Sequence, residues 1–488
     1  MKLWLIGHGY RYAAEQMLST LFPGEGPEYC EEAPAEGMVI RLSRAEQYTT
    51  ATCRYLHNGE IFYGLARAKS EPNADTIQTE SREQYLLKNA VYRAVMASGR
   101  TRMPWGALTG VRPGKLMHAI LKRDPDRARA VAEFMGKYDV TRERAELCYE
   151  TAAETERAEQ TLREKDICLY VGIPFCPTRC AYCSFVSQAV EKNKKLMEPF
   201  LEALQKELQA IAEQVRKLDL QIVAIYFGGG TPTTLNAEQL EALCRLLENE
   251  FDLTAVREYT VEAGRPDTIT KEKLEVLRRH GVDRISVNPQ TMQDSVLEAI
   301  GRKHTAKDVL DALALAREVG GFRINMDLIA GLPQDDLTGF QATMEQVLAL
   351  QPENITVHTL SLKRGSSLSE EKGKIPSAGE VAAMLDTAYE LLRKEGYAPY
   401  YLYRQKNMSG GFENTGWTKP GAVNLYNICM MEELCSILAA GGGGSTKLVR
   451  NGNGKNIRLA APKYPLEYIQ QIETTCKNKQ TIGDFYGV

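Results

Sequence analysis

No stretch of this 488-residue chain approaches twenty consecutive apolar residues. The opening MKLWLIGHGY carries only a short apolar run and no cleavage-site pattern. These absences predict neither a membrane-spanning helix nor a secretory signal, and hence a cytoplasmic protein. A large net charge is missing too: 60 Lys and Arg stand against 63 Asp and Glu, a balance of -3. Charges of both signs are spread through the chain, so electrostatics make no case for a nucleic-acid partner or an anionic membrane surface. Paired cysteine spacing is also absent. The eleven cysteines are odd in number, and Cys30, Cys53, Cys148, Cys168, Cys244, Cys429, Cys435 and Cys476 are scattered, which fits a reducing compartment better than a disulfide framework. The length suffices for two or three domains, each with its own core.

The remaining three cysteines are concentrated as Cys176-x3-Cys180-x2-Cys183 within YVGIPFCPTRCAYCSFVS, directly after an apolar, strand-like run. Thiolates this crowded repel one another unless a cation holds them, and Pro174, Pro177 and Arg179 make a turn-rich loop able to wrap one centre. A structural zinc closes its tetrahedron with four protein ligands, yet no further Cys or His follows until Cys244 and His280. Three ligands instead suit a [4Fe-4S] cluster with one iron open to a substrate or cofactor.

From about 165 to 395, short β-rich runs alternate with longer helical patterns, which predicts βα units on a parallel sheet. Six strands are expected: Ile167 to Pro174, Ile222 to Gly228, Tyr259 to Ala263, Arg284 to Asn288, Arg323 to Ile329 and Asn354 to Thr359. In EPFLEALQKELQAIAEQVRKL, Phe200, Leu201, Leu204, Leu208 and Ile211 recur at helical spacing. The fold class is therefore α/β, a partial (β/α)6 TIM-like barrel over 165–395. Residues 1–155 lack this rhythm and read as an N-terminal α+β accessory domain. Residues 396–488 read as a mostly helical C-terminal segment that covers the substrate. Within the first domain, PWGALTGVRP reads as a packed connector around Trp105, with a binding loop as the alternative.

Barrels of this kind place chemistry at the C-terminal ends of their strands, where the cysteine loop falls. One unit later, YFGGGTPTTL sets Gly228, Gly229, Gly230 and Thr231 ahead of a helix capped by Asn236, a place for a carboxylate or phosphate to meet backbone amides. Glu262, Gln290, Asp327 and His358 mark the ends of strands three to six, with Arg302 just past the fourth unit. Together they suit a polar cofactor with amino, carboxylate and ribose groups; singly, each suits a hydrogen bond within the barrel. The glycines at 441 to 444 allow either close approach of a ligand or a simple turn.

The cysteine motif with its Tyr182-Cys183 pair, GGGTPT and the six βα units resemble the radical S-adenosylmethionine superfamily. LYVGIPFCPTRCAYC, VEAGRPD, ISVNPQT and INMDLIAGLPQ resemble the oxygen-independent coproporphyrinogen III oxidase family, and TVHTLSLKR, YYLYRQKN and PWGALTGVRP its HemZ-like branch. The resemblance implies that Cys176, Cys180 and Cys183 bind three irons of a [4Fe-4S] cluster, and that S-adenosylmethionine chelates the fourth. It puts Tyr170 near that cofactor, Gly229, Gly230 and Thr231 at its amino-acid end, Tyr182 beside the adenine, and Glu262, Gln290, Arg302, Asp327 and His358 along its other groups. Cofactor cleavage would yield a 5′-deoxyadenosyl radical that abstracts hydrogen from a propionate of coproporphyrinogen III or another tetrapyrrole. Loss of carbon dioxide and one electron then leaves a vinyl group, and two such rounds give protoporphyrinogen IX. Lys363, Arg364 and Arg404 are candidate partners for the propionates. The implied partner is a flavodoxin-type electron donor, acting on a monomer. The better-known branch carries His where this chain has Gly172.

Three other readings share the motif. A haem-binding chaperone is one, although the segment FENTGWTKPGAVNLYN has no histidine where such relatives carry a His-Asn pattern. A radical methyltransferase or haem-degrading enzyme would keep the cofactor site and change the substrate pocket. An electron-transfer or structural cluster protein would not need the polar barrel rim.

Overall fold

Runs such as ICLYVGI and QIVAIYFGG are apolar at consecutive positions, the pattern of strands covered on both faces. The computed structural model describes residues 1–70, 75–110, 112–183, 188–361, 375–405, 411–450 and 456–487. The chain divides into two compact units, Met1–Tyr149 with Gly410–Phe412, and Glu150–Ser409 with Glu413–Val488.

The first unit is α+β. It holds β1 (Lys2–Ile6), α1 (Arg11–Leu21), β2 (Glu28–Tyr29), β3 (Gly37–Arg44), β4 (Tyr48–His57) and β5 (Glu60–Lys69). Then come α2 (Thr76–Ala97), α3 (Pro113–Leu121) and α4 (Arg127–Tyr138). The sheet order is β2-β1-β3-β4-β5, an antiparallel β3-β4-β5 meander extended by β1 parallel to β3. Leu86, Ala90, Val91, Ala94 and Val95 of α2 share one core with Ile40, Ala51, Cys53 and Ala66. The helix lies so close that a Cβ on Gly64 would meet the Ala90 carbonyl oxygen at 1.9 Å. Trp105 is buried, and Gly106, at φ 51°, backs onto the Asp139 carbonyl, so this stretch packs as a connector.

Helix α5 (Arg142–Thr161) leads to the first barrel strand, β6 (Asp166–Ile173). The short pair β7 (Phe175–Cys176) and β8 (Gln188–Ala189) and helix α6 (Val190–Asn193) follow, then α7 (Met197–Leu218), β9 (Gln221–Gly229) and α8 (Ala237–Glu250). Next are β10 (Glu258–Val261), α9 (Lys271–Arg279), β11 (Arg284–Ser286), α10 (Asp294–Ala299) and α11 (Ala306–Val319). The units end with β12 (Arg323–Ala330), α12 (Leu337–Ala349), β13 (Asn354–Thr359) and α13 (Ala378–Lys394). All six expected strands are present and pair in parallel in the order β6-β9-β10-β11-β12-β13.

The C-terminal segment departs from the expectation of a mostly helical one. It contributes β14 (Ala398–Arg404), β15 (Glu413–Thr418), α14 (Leu425–Glu432), β16 (Ser436–Gly441), β17 (Ser445–Leu448) and β18 (Ile457–Ala460). Only then come α15 (Pro465–Gln470), α16 (Ile472–Asn478) and α17 (Gln480–Tyr486). The sheet therefore grows at both edges to eleven strands: β15 and β14 beyond β13, and β16, β17 and β18 beyond β6. β16 runs parallel to β6, pairing Ile437 with Cys168 and Gly441 with Gly172. The strands escaped sequence reading for a physical reason. β14 and β16 are buried on both faces and show no two-residue alternation, while β15 (ENTGWT) is buried throughout and opens on Glu413 and Asn414 with Gly416 at its middle, residue types that strands rarely use.

The two faces of the barrel strands are chemically opposite. Leu169, Val171, Ile225, Phe227, Val261, Ile285, Met326, Leu328, Ile355 and Val357 are buried and apolar, as helix-facing positions should be. The alternate positions carry Cys168, Tyr170, Tyr226, Glu258, Thr260, Arg284, Asn325, Asp327, Thr356 and His358. Near the strands' N-terminal ends, Arg284 and Glu258 form an ion pair of 3.6 Å with exposures of 1% and 3%. Arg284 also donates to Asn354 and to the Ala422 and Val423 carbonyls, and Glu258 accepts from the Leu425 and Tyr426 amides. These bonds bring α14 against the barrel's lower end and satisfy charges that burial would otherwise make costly.

Candidate functional site

Strand β6 ends at Ile173, and the chain turns at once into the cysteine loop. The turn is held by backbone: the Gly230 amide donates to Ile173 O at 2.8 Å and the Thr231 amide to Phe175 O at 2.7 Å. A Cβ on Gly230 would stand 2.5 Å from Phe175 O, so this glycine is required by the approach of the loop itself. Gly229, at φ 105°, could not carry a side chain without strain. Asn236 caps α8 through a capping box with Gln239, as the sequence suggested for the start of that helix.

Cys176, Cys180 and Cys183 are half-buried. Thr231 Oγ1 donates to Cys176 Sγ at 3.4 Å, and the Arg302 guanidinium lies near enough to Cys180 to interact with it electrostatically. The loop is braced by the Cys183 amide on Cys180 O at 3.1 Å and the Ala181 amide on Ile300 O at 3.0 Å. Arg265, buried and paired with Asp267 at 2.9 Å, donates to Thr178 Oγ1 at 3.0 Å. Three thiols on one short loop can each serve a separate iron of a cluster.

The strand-end residues assemble on the same rim. Arg302 donates to Tyr182 Oη at 3.1 Å and to Asn288 O at 2.8 Å, joining the cysteine loop to the end of β11. Tyr226 Oη donates to Glu262 Oε1 at 2.6 Å. Burial nevertheless pushes the Glu262 carboxyl up to about 7. Asp327 accepts from Asn288 Nδ2 at 2.7 Å and Asn325 Nδ2 at 2.8 Å, and His358 Nε2 stands 3.8 Å away. Burial acts upward on Asp327, but His358, Asn325 and Thr356 outweigh it and hold the carboxyl below its usual value. Gln290 is buried in a left-handed conformation, φ 68°, and its amide donates to Asp327 O at 2.9 Å. A non-glycine residue held this way stores strain that only a tightly determined site retains.

Below this rim Tyr170, Tyr226 and Tyr426 stack, Tyr226 and Tyr426 with ring centroids 4.4 Å apart. A Cβ on Gly228 would meet both Tyr170 and Tyr226 at 3.1 Å, so the glycine run also makes room for the stack. Gly172 is explained similarly: Gly442 O and a Tyr170 ring atom lie 3.2 Å from its absent Cβ, and β16 occupies the space a side chain would need. The turn after β16 is anchored by Glu207 of α7, which accepts from the Gly441 amide at 2.8 Å and pairs with Lys479 at 2.7 Å.

Every expected cofactor residue is described; Tyr182, Gln290, Arg302, Asp327 and His358 are linked by the contacts above, and Glu262 joins the tyrosine stack through Tyr226. Arg404 is buried on β14, opposite Glu413, and Lys363 and Arg364 lie outside the described residues. Sequence reasoning missed Tyr226, Tyr426, Asn288, Arg265 and His304. His304 is 3% exposed, and burial beside Arg302 and Arg265 lowers its pKa to about 4. Arg265 was visible in the motif VEAGRPD, and Tyr226 by its two-residue spacing before Gly228; His304 gave no signal.

Residues 170–347 match the model of the radical SAM superfamily. The chain is 38% identical over 455 residues to the "Oxygen-independent coproporphyrinogen-III oxidase-like protein HemZ" of Bacillus subtilis, covering 91% of this chain and 90% of that protein. It is 32% identical to the B. subtilis "Heme chaperone HemW", over 51% of this chain and 66% of that protein. The solved coproporphyrinogen III oxidase (HemN) from Escherichia coli shares the fold at TM-score 0.52 and 23% identity, over 67% of this chain and 73% of that one. Radical SAM proteins use a [4Fe-4S] cluster and S-adenosylmethionine, and a loop of three thiols beside a carboxylate-lined rim has the donors for both. By near full-length similarity, this chain belongs to the radical SAM superfamily and, within the oxygen-independent coproporphyrinogen III oxidase family, to its HemZ-like branch.

Proposed function

We propose that this protein is a coproporphyrinogen dehydrogenase that removes carboxyl groups from two propionates of coproporphyrinogen III. The observation that carries the reading is the convergence of the thiol loop, Glu262 and Asp327 on one rim, above a barrel interior lined by stacked tyrosines. In this reading Cys176, Cys180 and Cys183 hold the cluster. Gly229, Gly230 and Thr231 meet the amino-acid end of S-adenosylmethionine, Tyr170 lies near that cofactor and Tyr182 lies beside its adenine. Glu262, Gln290, Arg302, Asp327 and His358 line its remaining polar groups. The bound cofactors supply a radical that abstracts hydrogen atoms.

The chain's own residues do the rest. Arg302 offsets thiolate charge at Cys180 and fixes Tyr182. Glu262, poised near neutral pH, ionises readily beside a cationic ligand. The tyrosine stack supplies aromatic surface and hydroxyls beneath the rim, chemistry suited to a tetrapyrrole. At each propionate, loss of one hydrogen atom, carbon dioxide and one electron leaves a vinyl group, with the electron passing to a one-electron acceptor. A flavodoxin-type donor, a monomeric state and a cytoplasmic setting complete the proposal.

The test is anaerobic incubation of the reconstituted protein with dithionite, S-adenosylmethionine and coproporphyrinogen III. Porphyrinogen mass should fall by two carbon dioxides and four hydrogens. Unchanged porphyrin together with tight, stoichiometric haem binding would replace this reading with the chaperone.

A further inference from the structure

A second group of thiols lies on the same first strand, away from the rim. Cys168 projects from the start of β6, Cys429 comes from α14, and Cys435 from the turn before β16. Their sulfurs all lie within 4.8 Å of one another, and Cys168 and Cys435 are 3.7 Å apart. All three are buried, and they pack with Ala224, Tyr426 and Ile437, with Met430 at the margin.

The geometry suits one ion. Metal–sulfur bonds of about 2.3 Å at tetrahedral angles put sulfurs about 3.8 Å apart, so small side-chain rotations would close this trio on a single centre. A disulfide needs only two of the three, and a cubane takes its thiolates on separate irons. Three soft donors select a thiophilic cation such as copper(I) or zinc. An independent sign of unused polar capacity is Tyr426, which is 3% exposed and whose hydroxyl has no hydrogen-bond partner among the described residues.

We propose that Cys168, Cys429 and Cys435 form a second metal site that takes one soft cation and pins α14 and β16 to the first barrel strand. Binding exchanges the thiol protons for the ion, with those protons released to solvent. The site would stiffen the floor beneath Tyr426 and the stacked tyrosines without touching the rim.

The experiment uses the full-length chain with C176A, C180A and C183A, which removes the rim thiols. It is loaded anaerobically with zinc in one arm and copper(I) in the other, then desalted and assayed for metal by mass spectrometry. One ion per chain is expected in at least one arm, and that arm identifies the ion. Retention should fall at least tenfold with the further change Cys429→Ser and stay unchanged with Cys244→Ser, a buried thiol elsewhere in the barrel. Cobalt(II) added to the parent chain gives a reading that needs no further variant: intense sulfur-to-metal absorption should appear at one equivalent. No retention in either arm, retention indifferent to Cys429→Ser, or no cobalt absorption would overturn the proposal.

Discussion

Two groups of three cysteines flank one strand, and their surroundings differ in every respect that governs thiol chemistry. The Cys176, Cys180 and Cys183 loop is half-buried, lies at the C-terminal end of β6, and meets a guanidinium and a hydroxyl. The Cys168, Cys429 and Cys435 group is closed off by apolar and aromatic side chains. Open thiols beside a cation suit ligand exchange and reaction; thiols sealed in a core suit structure. The lesson is that sequence spacing finds the first kind, because reactive loops are local, whereas only tertiary contact reveals the second.

The sharpest way to break the contrast is Cys180→Ala. It should reduce 5′-deoxyadenosine formation to background and remove cluster iron, while the melting temperature of the apoprotein stays near the parent value. An unfolded Cys180→Ala chain would erase the distinction between a chemical and a structural group. Next in size is Arg284→Ala, which leaves the Glu258 carboxylate buried without its cation. A stability loss of about 3–5 kcal/mol is expected by chemical denaturation. A loss no larger than that of an exposed substitution would mean the lower barrel is not closed as described.

His304 gives a pH test of the rim. Its folded pKa, about 4, lies below its unfolded value of about 6.5, so below that value the unfolded state binds the extra proton. Stability should therefore fall as pH drops from 6.5 through 4, by about 3 kcal/mol from this group. His304→Leu should flatten that part of the profile. Glu262 supplies the smallest effect. Because its carboxyl ionises near 7, binding of the cationic cofactor should tighten as pH rises from 6 to 8. Glu262→Gln should weaken binding about tenfold at pH 8 and abolish the slope, read by calorimetry.

Much of the rim was legible because it is written locally. The cysteine spacing, the GGGTPT turn and one polar residue at each strand end all follow from βα periodicity, and all six strands lie close to their expected positions. The edges of the sheet were not legible. β14 and β16 show no alternation because both their faces are buried, and β15 hides behind Asn414, whose side chain accepts from the Thr359 amide at 2.8 Å. Gly228, Gly229 and Gly230 were read as room for a ligand; Gly230 also makes room for the Phe175 carbonyl and Gly172, read only as a departure from the better-known branch, for that of Gly442, which no sequence spacing reveals. The tyrosine stack joins β6, β9 and α14, residues 170, 226 and 426, and becomes visible only when the register of those strands is known.

The most direct measurement counts 5′-deoxyadenosine against carboxyl groups lost from coproporphyrinogen III, anaerobically and over the first turnovers. A rim that directs the radical to propionates predicts one deoxyadenosine per carboxyl group, and neither product from Cys180→Ala. Deoxyadenosine released without porphyrin decarboxylation, or decarboxylation persisting in Cys180→Ala, would contradict it.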